Sequence, residues 1–187
     1  KNLKADKIVI GGAMALTIYR KMGKNIGKSL FEEIEADFLI NNPKVLLPQS
    51  FVVVDDNFQN PQIKSIDEIN QEIAVDSLPD ENILSLIREA DMIFWNGPLG
   101  IFEKGFDKGS TELLKTVKQN KQSKDKGFRA IGGGDTLRFF NEYIKKTGEK
   151  VEEFVDFVST GGGATLEFLE KGTLEAIEYI QSQSLKI

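Results

Sequence analysis

The sequence predicts an α/β protein, a Rossmann-like three-layer αβα arrangement around a mostly parallel sheet, with minor edge strands around residues 51–76. Three observations predict it. Short β-branched or aromatic runs alternate with amphipathic stretches of about ten residues, the pattern of a parallel sheet covered on both faces. Four of these runs end in turns that are rich in glycine or read Asn-Gly-Pro. No linker interrupts the 187 residues, a length that suits one sizeable core, so residues 1–187 are expected to form one domain.

The elements follow in order. Asp6–Ile10 reads as a strand, and Gly11-Gly12 turns it into a helix over Ala13–Lys24. Ser29-Leu30-Phe31-Glu32 has the spacing of a capping box, so a second helix is expected from Ser29. Its apolar face runs through Phe38 and Leu39 until Asn41-Asn42-Pro43 stops it. Lys44–Leu47 and Phe51–Val54 are short strands split by Pro48. Ile63–Ile66 and Glu72–Val75 alternate in the manner of edge strands. A helix over Asp80–Glu89 follows Pro79, Met92–Trp95 is a buried strand, and Asn96–Gly105 is a loop. A helix over Ser110–Lys118 leads through polar Gln119–Gly127 to a strand at Phe128–Ile131 and a helix at Thr136–Lys146. Val155–Val158 is the last strand, followed by helices at Ala164–Glu170 and Leu174–Gln181 with Gly172 between them.

Composition removes whole classes of chemistry. The chain has no cysteine, so disulfides, thiol catalysis and thiolate metal sites are excluded, and a reducing compartment fits. It has no histidine, which excludes a Ser-His-Asp triad, a histidine zinc site and a histidine general base. Phosphoryl transfer, which works by positioning and charge, asks for none of these. The net charge of −5 argues against nucleic acid as a partner, and the basic cluster Lys115–Lys126 reads as a solvated helix end. No apolar run approaches the roughly 20 residues of a membrane span, and no basic-then-apolar leader opens the chain. A soluble, cytoplasmic monomer with neither membrane nor nucleic-acid partners is expected. The chain begins at Lys1 rather than methionine, so it is expected to be processed or to be a fragment of something longer.

The four turns carry the functional reading. Ile8-Val9-Ile10 leads to Gly11-Gly12, Ile93-Phe94-Trp95 to Asn96-Gly97-Pro98, Ala130-Ile131 to Gly132–Thr136, and Val158-Ser159 to Thr160–Ala164. Each follows the carboxyl end of a strand, and in a parallel sheet those ends share the edge where ligands bind. In Gly132-Gly133-Gly134-Asp135-Thr136, three glycines let backbone amides turn inward, and a helix N-terminus adds partial positive charge. That suits a phosphate, and the Asp135 carboxylate suits the Mg²⁺ that accompanies one. The plainer account is a tight turn with Asp135 as a helix N-cap. Four such turns at equivalent positions favour the phosphate. Two look-alikes fail: Gly27-Lys28-Ser29 lacks the earlier glycine of a P-loop because Met22 stands there, and no G-x-G-x-x-G dinucleotide fingerprint occurs.

The segments Ile10-Gly11-Gly12-Ala13-Met14-Ala15, Trp95-Asn96-Gly97-Pro98-Leu99-Gly100-Ile101-Phe102-Glu103, Gly132–Thr136 and Ser159-Thr160-Gly161-Gly162-Gly163-Ala164 occur in this order in phosphoglycerate kinases. Over nearly its whole length the chain resembles the C-terminal, nucleotide-binding half of that family. The resemblance implies a glycolytic reaction, phosphoryl transfer between 1,3-bisphosphoglycerate and MgADP to give 3-phosphoglycerate and MgATP, with Mg²⁺ bound alongside ADP or ATP. It implies that Asp135 holds the magnesium and that Gly132 and the amides of Gly133, Gly134 and Thr136 face the phosphates. Gly161, Gly162 and Gly163 would line the transferred group, where charge develops. Asn96 would meet the phosphate and ribose side of the nucleotide, Pro98 its ribose edge and Glu103 the ribose hydroxyls, with Gly100 among the nucleotide-binding residues. Gly11, Gly12 and Leu30 would form the adenine slot.

The sequence also departs from the family. Asp76-Ser77-Leu78-Pro79 stands where D-I-G-P is usual, and Phe157 where a histidine near the hinge is common. The N-terminal domain that carries the 3-phosphoglycerate site and a catalytic arginine is absent, and Lys4 and Lys7 are not assigned the roles of the upstream lysines that grip the phosphoryl group. The chain alone is therefore expected to bind nucleotide without turnover. The rival readings are a non-enzymatic nucleotide-binding or regulatory module and an NAD-binding domain, the latter predicting tighter NADH than MgADP binding.

Overall fold

The computed structural model describes residues 5–124, 127–174 and 177–178. Strand β1 (Ile8–Val9) turns at Gly11 into helix α1 (Gly12–Lys21) and pairs in parallel with β2 (Val45–Leu46). Strands β3 (Ser50–Val54), β4 (Gln62–Ser65) and β5 (Ile73–Leu78) form an antiparallel sheet in the order β4-β3-β5. One repeating unit then takes over: α2 (Glu81–Glu89), β6 (Met92–Asn96), α3 (Lys108–Ser123), β7 (Phe128–Gly132), α4 (Gly134–Thr147), β8 (Phe157–Ser159) and α5 (Gly162–Lys171). Strands β6, β7 and β8 lie side by side and parallel, and the α/β, Rossmann-like class is realised.

Strand alternation sorts the side chains of β6–β8 onto two faces. Trp95, Ile131 and Val158 fall on one, packed in a core with Leu114 and Val117 of α3 and Phe139 and Phe140 of α4. Met92, Phe94, Phe128 and Phe157 fall on the other and are exposed, Met92 opposite Phe128, with Phe94 and Phe157 flanking Ala130. A second core joins α1 to the antiparallel sheet through Leu16, Tyr19, Phe51 and Val53.

One buried charge ties the parallel unit together. Arg129 of β7 is 2% exposed. Its Nε donates to Asn120 Oδ1 at 2.6 Å, and its Nη2 to the carbonyls of Asn120 and Lys124, both at 2.9 Å. The Asn120 amide donates in turn to the carbonyls of Ile87, Arg88 and Ala90, at the end of α2. One pair of side chains thus satisfies the C-termini of α2 and α3. Asp156 closes the network: its Oδ2 accepts from the Arg129 backbone amide at 2.8 Å and lies 3.7 Å from the guanidinium Nη1.

The helix expected from Ser29 does not form. Ser29 is buried, and its hydroxyl accepts from the Ala74 amide of β5 at 2.8 Å, so the capping side chain is spent on a distant strand. The Glu32 amide donates to Thr17 Oγ1 at 3.0 Å, and the Arg20 guanidinium lies 3.7 Å over the Phe31 ring. These contacts outweigh a helix preference worth a few tenths of a kcal/mol per residue. The strands around residues 51–76 extend further than the pattern indicates, because β5 runs to Leu78 and buries nearly its whole length. Helix α3 also continues beyond Lys118, since polar Asn120 faces inward to Arg129. The helix expected over Leu174–Gln181 lies for the most part outside the described residues.

Asn120→Ala leaves a buried guanidinium and three helix-end carbonyls short of partners, and is expected to cost about 3 kcal/mol in urea unfolding. The double variant Asn120→Leu/Arg129→Met removes both halves of the pair and is expected to recover much of that loss. A double variant less stable than Asn120→Ala alone would show that the network is not the source.

Candidate functional site

The parallel register brings three of the four turns to one level. Asn96, Gly132 and Ser159 pair across the ends of β6, β7 and β8. Beyond Gly132 the chain turns at Gly133, whose φ of 89° lies in the left-handed region, and enters α4 with no side-chain cap. A side chain at Gly133 would put its Cβ 2.7 Å from Asn96 Oδ1, so the β7–α4 turn and Asn96 are in direct contact. On the adjacent strand, Ser159 leads to Gly161 and to Gly162, with φ 38°, and α5 begins there, likewise without a side-chain cap. The Ser159 hydroxyl is hydrogen-bonded to that of Thr165 and accepts from the Gly161 amide at 3.3 Å. Two uncapped helix N-termini therefore start from neighbouring strands, beside Asn96. Their first amides favour an anion.

Hydroxyl groups fasten the loops to one another. The Gly97 amide donates to Thr136 Oγ1 at 2.6 Å, which ties the Asn-Gly-Pro loop to α4. Thr136 is fully buried, and its side chain is spent on that loop. The Gly12 amide donates to Ser77 Oγ at 2.7 Å, and Ser77 Oγ–H donates to the Leu99 carbonyl at 3.0 Å. The Leu99 amide donates to Ser110 Oγ at 2.8 Å. These bonds bring the β1–α1 turn to the same place, although β1 belongs to a separate two-stranded sheet.

A cleft of about 320 Å³ opens between these loops, and Gly12, Leu30, Pro98, Gly100, Glu103 and Asp135 line it. Gly11 is packed beneath, where an added Cβ would fall 2.4 Å from Leu99 Cδ2. Leu30 is 70% exposed, an apolar side chain with no core duty. Asn96, Gly132, Gly133, Gly134, Gly161, Gly162 and Gly163 do not line the cleft and form the glycine-rich ledge at the strand ends, while Asp135 reaches from α4 into it. Asp135 lies in the first turn of α4, after the N-cap Gly133, so it does not serve as the cap that the plainer account required. Its carboxylate is 69% exposed and 3.6 Å from Nη1 of Arg138, which donates to Glu103 Oε1 at 3.3 Å.

This donor set can hold magnesium only together with a nucleotide. Among the described residues no three carboxylates gather at one point, whereas Asp135 offers an open carboxylate in front of the α4 amides. Mg²⁺ keeps most of its ligands as water and phosphate oxygens, so one protein carboxylate suffices.

Asp76 closes the back of the cleft and was missed as a charged group in the sequence because it lies in an ordinary strand. It is 2% exposed. Its Oδ2 accepts from the Gly109 amide at the start of α3, at 2.8 Å, and its Oδ1 has no partner. Burial pushes its pKa up to about 7; the Gly109 amide opposes that shift, and the Asp107 charge adds to it. The folded state thus holds the proton more tightly than the unfolded chain, whose carboxyl titrates at about 4. The stability Asp76 contributes is complete below about pH 4, falls as pH rises towards 7, and levels off above. Urea midpoints should therefore drop from pH 5 to pH 7 in the native chain relative to Asp76→Asn, which cannot ionise. Parallel curves for the two proteins would refute this titration.

The comparisons with known proteins agree with the geometry. The family model described as "Phosphoglycerate kinase" matches residues 2–172. The phosphoglycerate kinase of Finegoldia magna is 37% identical over 194 residues, covering 96% of this chain and 46% of that protein. That of a Psychrobacter species is 33% identical, covering 97% of this chain and 47% of its own. The solved structure of phosphoglycerate kinase from Coxiella burnetii superimposes with a TM-score of 0.79 at 30% identity, over 96% of this chain and 47% of that one. The chain spans about half the length of the curated relatives it matches. With a family model matched along most of its length, the chain belongs to the phosphoglycerate kinase family.

Proposed function

We propose that the chain is the C-terminal, nucleotide-binding half of a phosphoglycerate kinase, a glycolytic and cytoplasmic enzyme, and that it binds MgADP or MgATP as a monomer. The observation that carries this is the junction of an apolar cleft with the glycine ledge, Asp135 standing where they meet. In the whole enzyme the reaction would be phosphoryl transfer between 1,3-bisphosphoglycerate and MgADP, giving 3-phosphoglycerate and MgATP.

The residues divide the nucleotide among them. Leu30 and the backbone of Gly12 form the walls for adenine, with Gly11 packed beneath them, flat because the glycines carry no side chain. Pro98 and Gly100 border the ribose, and Glu103 accepts its hydroxyls. Asn96 and the amides at the start of α4, at Gly133 and Gly134, bind the phosphates, with buried Thr136 behind them. Gly161–Gly163 present the α5 amides to the group in transfer, where they stabilise charge that develops only in the transition state. Bound with the nucleotide, Mg²⁺ would neutralise the phosphate charge, with Asp135 as its protein ligand. No lysine or arginine lines the cleft among the described residues; in the whole enzyme a second domain would hold the second substrate. Closure of two domains would then exclude water from the transfer.

Calorimetric titration with ADP, with and without Mg²⁺, tests the reading. In Asp135→Ala the magnesium-dependent part of the affinity is expected to vanish, on the order of tenfold, while adenine binding persists. A magnesium dependence that survives in Asp135→Ala would remove the metal role from this residue. The 187-residue chain by itself is expected to show no turnover of 1,3-bisphosphoglycerate in a coupled assay; measurable turnover would contradict the need for a second domain. NADH binding tighter than MgADP binding would favour a dehydrogenase module instead.

A further inference from the structure

Arg138, one turn into α4, joins two carboxylates from different elements. Its Nη1 donates to Glu103 Oε1 at 3.3 Å and lies 3.6 Å from Asp135 Oδ1. The guanidinium carbon is 5.4 Å from the centre of the Phe102 ring, which steadies it from the side. Glu103 and Asp135 both line the cleft, and an incoming nucleotide polyphosphate would meet two negative charges there. The Arg138 guanidinium supplies a positive charge that offsets them.

We propose that Arg138 is a resident countercation of the nucleotide site, anchored on Glu103, that occupies the Asp135 carboxylate until Mg²⁺ arrives. This rests on the reading of Asp135 as the magnesium ligand and of Glu103 as the ribose acceptor. The two contacts are unequal. The Asp135 contact is the longer and its carboxylate the more exposed, so it is the one an arriving magnesium ion breaks. The Glu103 contact engages Oε1 and leaves Oε2 to accept the ribose hydroxyls. While no metal is bound, Arg138 is the positive charge nearest Asp135 and lowers the repulsion of free ADP. Once magnesium is bound, that service is redundant.

The test is ADP calorimetry with and without Mg²⁺ on the native chain, Arg138→Gln, Arg138→Lys and Asp135→Ala. Exposed ion pairs of this kind are worth at most about fivefold in affinity. Arg138→Gln is expected to weaken metal-free ADP by about three- to fivefold and to leave MgADP within about twofold, so the magnesium effect grows. Arg138→Lys keeps the charge and is expected to stay near the native value without metal. Equal losses with and without Mg²⁺ in Arg138→Gln, which a merely structural role would produce, or no loss in either, would overturn the inference. A native chain indifferent to Mg²⁺, or an undiminished magnesium effect in Asp135→Ala, would instead overturn the Asp135 reading and the inference with it. The two failures are thus distinguishable. Arg138 is exposed, and an unchanged urea midpoint in the variants is the check on folding.

Discussion

A guanidinium lies buried inside this protein, and the parallel unit is arranged around satisfying it. Burying an unpaired charge costs several kcal/mol, so Arg129 specifies its surroundings more strictly than any apolar side chain could. Its donors reach Asn120 and the end of α3, and Asn120 passes the constraint on to the end of α2. Asp156, just before β8, takes the remaining side. Three helix or strand ends are thereby referred to one atom group on β7. The register of β6, β7 and β8 then sets the level at which Asn96, Gly132 and Ser159 emerge. The geometry of the glycine ledge is in this sense determined from beneath, by groups no ligand touches.

Above the strands, hydroxyls do what ladders cannot. Loops have no regular partner for their amides, and a buried unpaired amide is costly. Thr136, Ser77 and Ser110 each accept one loop amide, from Gly97, Gly12 and Leu99. The cleft is therefore bordered by backbone whose positions are fixed by side chains from neighbouring elements. A site that works by placing amides and one carboxylate, without a histidine or cysteine, depends on such fixing more than one with a reactive side chain does.

Much of this was legible in the sequence where local pattern and tertiary structure agree. The strands of the repeating unit, the turns after them and the start of α2 after Pro79 follow from alternation, glycine chemistry and the proline. Asp135 and Glu103 were identified by motif, and they line one cleft with Leu30 and Gly12. What escaped was set by distant partners. The capping box at Ser29 is sound as a local signal, yet its hydroxyl finds Ala74, which no window along the chain could pair with it. Arg129, Asp76 and Arg138 read as ordinary charges until burial or a cross-cleft contact distinguishes them. Asn120 lay in a stretch called polar because sequence cannot tell a solvated amide from one buried against an arginine.

Asp76 also bears on how such a sequence can drift. An added Cβ at Gly100 would fall 2.4 Å from both Asp76 Oδ1 and the Phe106 carbonyl, and one at Gly109 would fall 2.0 Å from the Ser77 carbonyl. Neither glycine can gain even a methyl group while the carboxylate and its strand stay in place. Shrinking Asp76 alone would open a void and strand the Gly109 amide. A side chain at either glycine would also require the backbone carbonyl of Phe106 or of Ser77 to move, which no change at Asp76 provides. In a lineage changing one codon at a time the two glycines form an evolutionary lock, held shut by the sterics of the backbone around them.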